Sequence, residues 1–161
     1  MKRLAVLLTV ALAGILVTAA PAHAVTARPI TWVSTPNGLP SAWPLARAMS
    51  FVGRYTGSQL VRGTCQPGAR CIIVSESRSL PRGYGAVTYP GPTAYLELNA
   101  SRRGSSSATR LRIVTHELAH ANGIEWHNPS CVSVMYYALT CHGRATPMNF
   151  TWSERQVLRR H

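Results

Sequence analysis

His116-Glu117-Leu118-Ala119-His120 is the stretch from which the rest of this chain is best read. On a helix, His120 lies about 40° around the axis from His116 and Glu117 about 100°. The two imidazoles therefore face one point, close enough to share a metal ion at about 2.0 to 2.1 Å from each nitrogen. The carboxylate falls beside that point rather than on it, where it can take a proton from a reacting water. Zinc is the expected metal and hydrolysis the expected chemistry. The flanks agree with a helix: Ser105-Ser106-Ser107 supplies N-cap candidates, and Gly123 stands where a left-handed residue ends one. The spacing predicts a helix from about Ala108 to Asn122, with Leu111, Val114, Leu118 and Ala121 as its buried stripe, opposite the two histidines.

A zinc site needs a third protein ligand, and a glycine with positive φ lets the chain leave the helix and turn back toward the metal. The residues that follow are Ile124-Glu125-Trp126-His127, so His127 is the first imidazole within reach. Glu125, Glu154, His142 and His161 compete with it. Of these, Glu154 closes Thr151-Trp152-Ser153-Glu154, a capping box that opens a helix and gives the carboxylate a structural task. His142 and His161 read as surface histidines. Farther on stands Ser133-Val134-Met135-Tyr136-Tyr137.

Together these segments resemble the metzincin zinc peptidases, in small secreted forms of the matrixin, snapalysin and astacin kind. Their motif is H-E-x-x-H-x-x-G-x-x-H followed by a methionine turn of the form S-x-M-x-Y. The third histidine arrives one residue late, Trp126 occupying the family position, so His127 requires one extra residue in the loop after Gly123. The resemblance implies Zn²⁺ on His116, His120 and His127, with Glu117 as general base. Met135 would form an apolar floor under the metal. Tyr137 would swing toward the metal or hydrogen-bond the transition-state oxyanion. The implied fold is α+β: a metzincin-like zincin domain with a twisted mixed sheet and two helices above the cleft, and a small C-terminal subdomain with one helix. It also implies that Ala94 to Asn99 is the sheet edge above the cleft, to which a peptide substrate adds as a strand.

Residues 1–24 read as a secretory signal peptide: Lys2 and Arg3, an apolar run from Leu4 to Ala20, and the A-x-A site Ala22-His23-Ala24. Residues 25–161 then form one catalytic domain, exported and extracellular, expected to be a monomer with no membrane span. Cys65, Cys71, Cys131 and Cys141 all lie in it, and an oxidising compartment favours two disulfides. Three connectivities are open; local pairing of Cys65 with Cys71 and of Cys131 with Cys141 closes two short turn-rich loops, the second around the methionine turn.

Without its leader the chain has fifteen arginines, five glutamates, and no lysine or aspartate. Such a surface attracts acidic polymers. No basic cluster interleaved with aromatics is present, so a specific nucleic-acid partner is not expected. The lack of aspartate argues against calcium loops.

Elsewhere, Ile30 to Val33, Cys71 to Val74 and Ala94 to Asn99 read as strands. A helix from about Ala42 to Tyr55, capped by Ser41, carries Leu45, Met49 and Val52 on one face, and Pro81 to Gly85 is a loop. The reading that joins these features is a secreted zinc metalloendopeptidase acting on protein or peptide substrates. Two others remain: a basic extracellular module binding acidic polymers around a vestigial or structural zinc site, and a cell-wall peptide amidase. They differ from the first in metal-dependent proteolysis and in substrate, respectively.

Overall fold

Three strands pair in parallel at the centre of one sheet: β1 (Ile30–Ser34) and β3 (Arg70–Ser77), both rich in β-branched residues, and β5 (Thr93–Asn99), which buries Ala94, Leu96 and Leu98. The computed structural model describes residues 27–81 and 83–161, and the leader expected at residues 1–24 lies outside the described residues. Two short strands complete the sheet, β2 (Gln59–Arg62) parallel to β1 and β4 (Ala86–Tyr89) antiparallel to β5. The order is β2-β1-β3-β5-β4. Mixed strands with three helices make the domain α+β.

This order corrects one expectation. β5 is not an edge: β3 holds one side of it and β4 the other, with Thr88 opposite Leu96 and Tyr89 opposite Tyr95. The edge is β4. Both edge strands, β2 and β4, went unread in the sequence, because neither Gln59-Leu60-Val61-Arg62 nor Ala86-Val87-Thr88-Tyr89 alternates apolar with polar residues. β5 does alternate as read, Ala94, Leu96 and Leu98 being buried while Tyr95 is exposed.

α1 (Leu45–Gly53) and α2 (Ser107–Ala121) pack on each other and against the sheet. α1 is shorter than the predicted 42–55. Pro44 disfavours helical torsions at Trp43, which instead buries its ring and donates Nε1–H to Glu76 at 2.9 Å. Ser41 makes no cap, and Pro44 takes the N-cap position without a side-chain bond. α2 opens on Ser106, whose hydroxyl accepts from Thr109 N–H at 3.1 Å. Its C-terminal carbonyls are held by Asn122, donating to Leu118 O, and by Arg70, donating to Ala121 O, both at 2.7 Å. The expected stripe is buried, and so are Ile113, Thr115, His116, Glu117 and Ala119. α2 is thus enclosed on almost every side, with the sheet, α1 and the segment after it all packed around it.

α3 (Trp152–Leu158) begins with the expected capping box of Thr151 and Glu154. Phe150 anchors it to Phe51 of α1 and to Tyr55 just beyond that helix, with centroids 5.7 and 5.4 Å apart. Gly57 passes so close to the end of α3 that a Cβ there would overlap the carbonyl of Arg159. The cysteines pair locally, Cys65 with Cys71 and Cys131 with Cys141, the second bond bracketing residues 132–140. β6 (Thr140–Cys141) and β7 (Arg144–Ala145) form a small hairpin beside it. Among the described residues no helix is long and apolar enough to cross a membrane.

Candidate metal centre and cleft

His116 and His120 emerge from α2 one turn apart, as their spacing requires, and their Nε2 atoms stand 3.1 Å apart. The chain leaves α2 through Gly123 at φ +96°, where a Cβ would overlap the His161 ring. It then doubles back, and His127 brings its Nε2 to 3.3 Å from that of His120 while its ring stacks on His116 at 5.1 Å between centroids. The extra loop residue is absorbed by leaving Glu125 and Trp126 exposed. Two nitrogens each about 2.05 Å from a tetrahedral ion lie about 3.3 Å apart, which is the spacing observed.

The hydrogen bonds of the rings fix which nitrogens are free. His116 Nδ1–H donates to Val134 O at 2.8 Å and His120 Nδ1–H to Ile124 O at 2.5 Å. A carbonyl only accepts, so both Nδ1 atoms carry hydrogen and both Nε2 atoms present lone pairs. A proton between them would require an imidazolium, which this environment resists. Burial drives the His116 value from 6.5 down to about 3, outweighing the Val134 bond, and burial lowers His120 too. Lone pairs converging without protons suit a divalent cation, and neutral imidazole nitrogens are donors that zinc accepts.

Glu117 is buried, and its Oε2 accepts from the Thr88 hydroxyl on β4 at 2.6 Å. Burial pushes its carboxyl from 4.5 up to about 7, with the Thr88 bond acting in the opposite sense. Neither the role of Thr88 nor the strand that carries it left a trace in the sequence. A cleft of about 960 Å³ runs between β4 and the segment Tyr137–Leu139 and exposes His116, Glu117, His120 and His127 on its floor.

Met135 is wholly buried in a turn whose preceding carbonyl, Val134 O, holds His116. Ser133 shapes that turn, accepting from Met135 N–H at 3.0 Å through Oγ and from Tyr136 N–H at 3.1 Å through its carbonyl. Glu154 braces it from α3. Its carboxylate accepts from Ser133 Oγ at 2.6 Å, Thr151 N–H at 2.6 Å and Asn128 Nδ2 at 2.9 Å, and Asn128 is the neighbour of His127. The capping box was legible, but its reach to the methionine turn was not.

The other candidates lie apart from the three imidazoles. Tyr137 lines the cleft but is 69 % exposed, and its hydroxyl pairs with that of Tyr136 at 3.3 Å. Glu125 is exposed at the cleft rim. His142 lies beside the Cys131–Cys141 bond, whose sulfurs are engaged with each other. His161 packs on Gly123 and bonds Arg70 at 2.8 Å.

One buried charge was not anticipated. Arg112, one turn before His116 on α2, is 5 % exposed, and Nη2 donates to Val134 O at 3.3 Å and Tyr136 O at 2.7 Å. Burial lowers its value to about 10, so it keeps its charge at neutral pH. Its i, i+4 relation to His116 was a usable signal, since it places both side chains on one face. A scan against protein-family models finds no match to the chain, and a search of curated proteins finds none either.

Proposed function

We propose that this protein is an exported zinc metalloendopeptidase built on the metzincin plan. The observation that carries the reading is the convergence of three imidazole Nε2 atoms with a buried glutamate beside them on the floor of an open cleft. Zinc held by His116, His120 and His127 would supply Lewis acidity to a water and to the scissile carbonyl. Glu117 accepts the proton of the attacking water and delivers it to the leaving amine, a task for which a raised carboxyl value suits it. The free edge of β4 offers backbone groups to an extended peptide, and Ala86, Val87 and Thr88 line the cleft there. The methionine turn, the strand at the cleft edge and the terminal helix also support the metzincin plan.

The deciding experiment is digestion of casein or a peptide library by the protein lacking residues 1–24, with and without a zinc chelator. Chelator-sensitive cleavage restored by zinc is the expected result. Zinc binding without cleavage of any peptide would favour a binding module instead. Release of amine from cell-wall peptide cross-links alone would favour an amidase.

A further inference from the structure

The guanidinium of Arg112 is short of acceptors. Its Nη2 bonds use two of its five N–H groups, while Nε is buried with no partner. Among the described residues the ion pair present is Arg103 with Glu76, so no carboxylate balances Arg112. A buried cation lacking both a counter-charge and part of its hydrogen bonding is unfavourable by itself. Arg112 also lines the cleft, together with Ile113 beside it on α2 and Ala138 and Leu139 on the facing wall. It shares the acceptor Val134 O with His116, so the charge lies within two hydrogen bonds of the metal-binding ring.

We propose that this part of the cleft is a side-chain pocket that selects a carboxylate on the residue flanking the scissile bond, with Arg112 as the specificity-determining group. Apolar walls from Ile113, Ala138 and Leu139 accommodate the methylenes of a glutamate, and the guanidinium supplies charge and donors for its head. A free chain terminus offers the same group, so both sources are to be compared. The choice of substrate rests on the peptidase reading, whereas the affinity of the pocket for a carboxylate does not.

The test uses blocked peptides identical except at the residue on either side of the cleaved bond, carrying glutamate, glutamine or leucine, with amidated or free C-termini. A charge-assisted pair with a guanidinium this buried should favour glutamate over glutamine by about tenfold to a hundredfold in kcat/KM. Arg112→Gln should abolish that ratio and Arg112→Lys should retain part of it. Preference for a free terminus over its amide would assign the carboxylate to a chain end and still support the pocket. Equal cleavage of glutamate and glutamine peptides by the parent, with no preference for a free terminus, would overturn it. That comparison needs no variant to fold. To separate the pocket from the chemistry, the same peptides are titrated into zinc-loaded Glu117→Gln while the Arg112 Nε–H resonance is followed by NMR. Movement with the carboxylate peptides alone supports the pocket even if nothing is ever cleaved. No movement, or equal movement with glutamine, rejects it.

Discussion

At the scale of single residues, the proposed mechanism rests on Glu117, with Thr88 setting its carboxyl value. Glu117→Gln keeps size and polarity but cannot accept a proton, so hydrolysis should fall by about 100-fold to 10,000-fold while zinc content is unchanged. Activity assays beside metal analysis of the same sample check both halves. Thr88 donates to the charged carboxylate and therefore holds its value down. In Thr88→Val that restraint is gone, the value rises, and the acid limb of the kcat/KM profile should move to higher pH. An unmoved limb would remove Thr88 from the mechanism. Gly123 meets two demands at once, a positive φ and the closeness of His161. Gly123→Ala should lower stability by about 1 to 3 kcal/mol in urea titrations and weaken zinc binding, since the return of the chain to His127 begins there.

At the scale of elements, legibility followed length and local chemistry. α2 was readable because its caps, glycine and histidine spacing lie within one window, and its observed bounds differ from the predicted ones by one residue at each end. The capping box of α3 was readable for the same reason. The edge strands were not, and the error over β5 shows why: alternation reveals that a strand has a buried face, but its neighbours are fixed by pairings distant in sequence. The three histidines could be listed from spacing; the hydrogen bonds that aim them come from Val134, eighteen residues downstream, and from Ile124. Glu154 belongs to this distant class. Glu154→Ala strands donors from Asn128, Ser133 and Thr151, and should lower stability by about 3 kcal/mol in chemical denaturation. It should also reduce zinc affinity about tenfold to a hundredfold, because Asn128, the residue next to His127, is no longer anchored by that carboxylate. Unchanged affinity would confine Glu154 to capping.

Across the whole molecule, two short disulfides act on different regions. Closing loops of these lengths contributes about 2 to 3 kcal/mol each in the chain-entropy view. Replacing Cys65 and Cys71 together by alanine should lower the melting temperature with little effect on turnover, since that bond lies at the start of β3. The same change at Cys131 and Cys141 should lower both, because the bond brackets the methionine turn and the cleft wall. Calorimetry with a peptide assay distinguishes the two cases. The carboxylate of Glu154 also imposes an order in time, because it lies downstream of every residue it steadies. A nascent chain that has emerged only as far as Tyr137 holds all three imidazoles but not the brace beside the third. The third imidazole is therefore braced only after α3 has emerged, and a chain cut short before α3 retains the H-E-x-x-H signature without a steadied third imidazole.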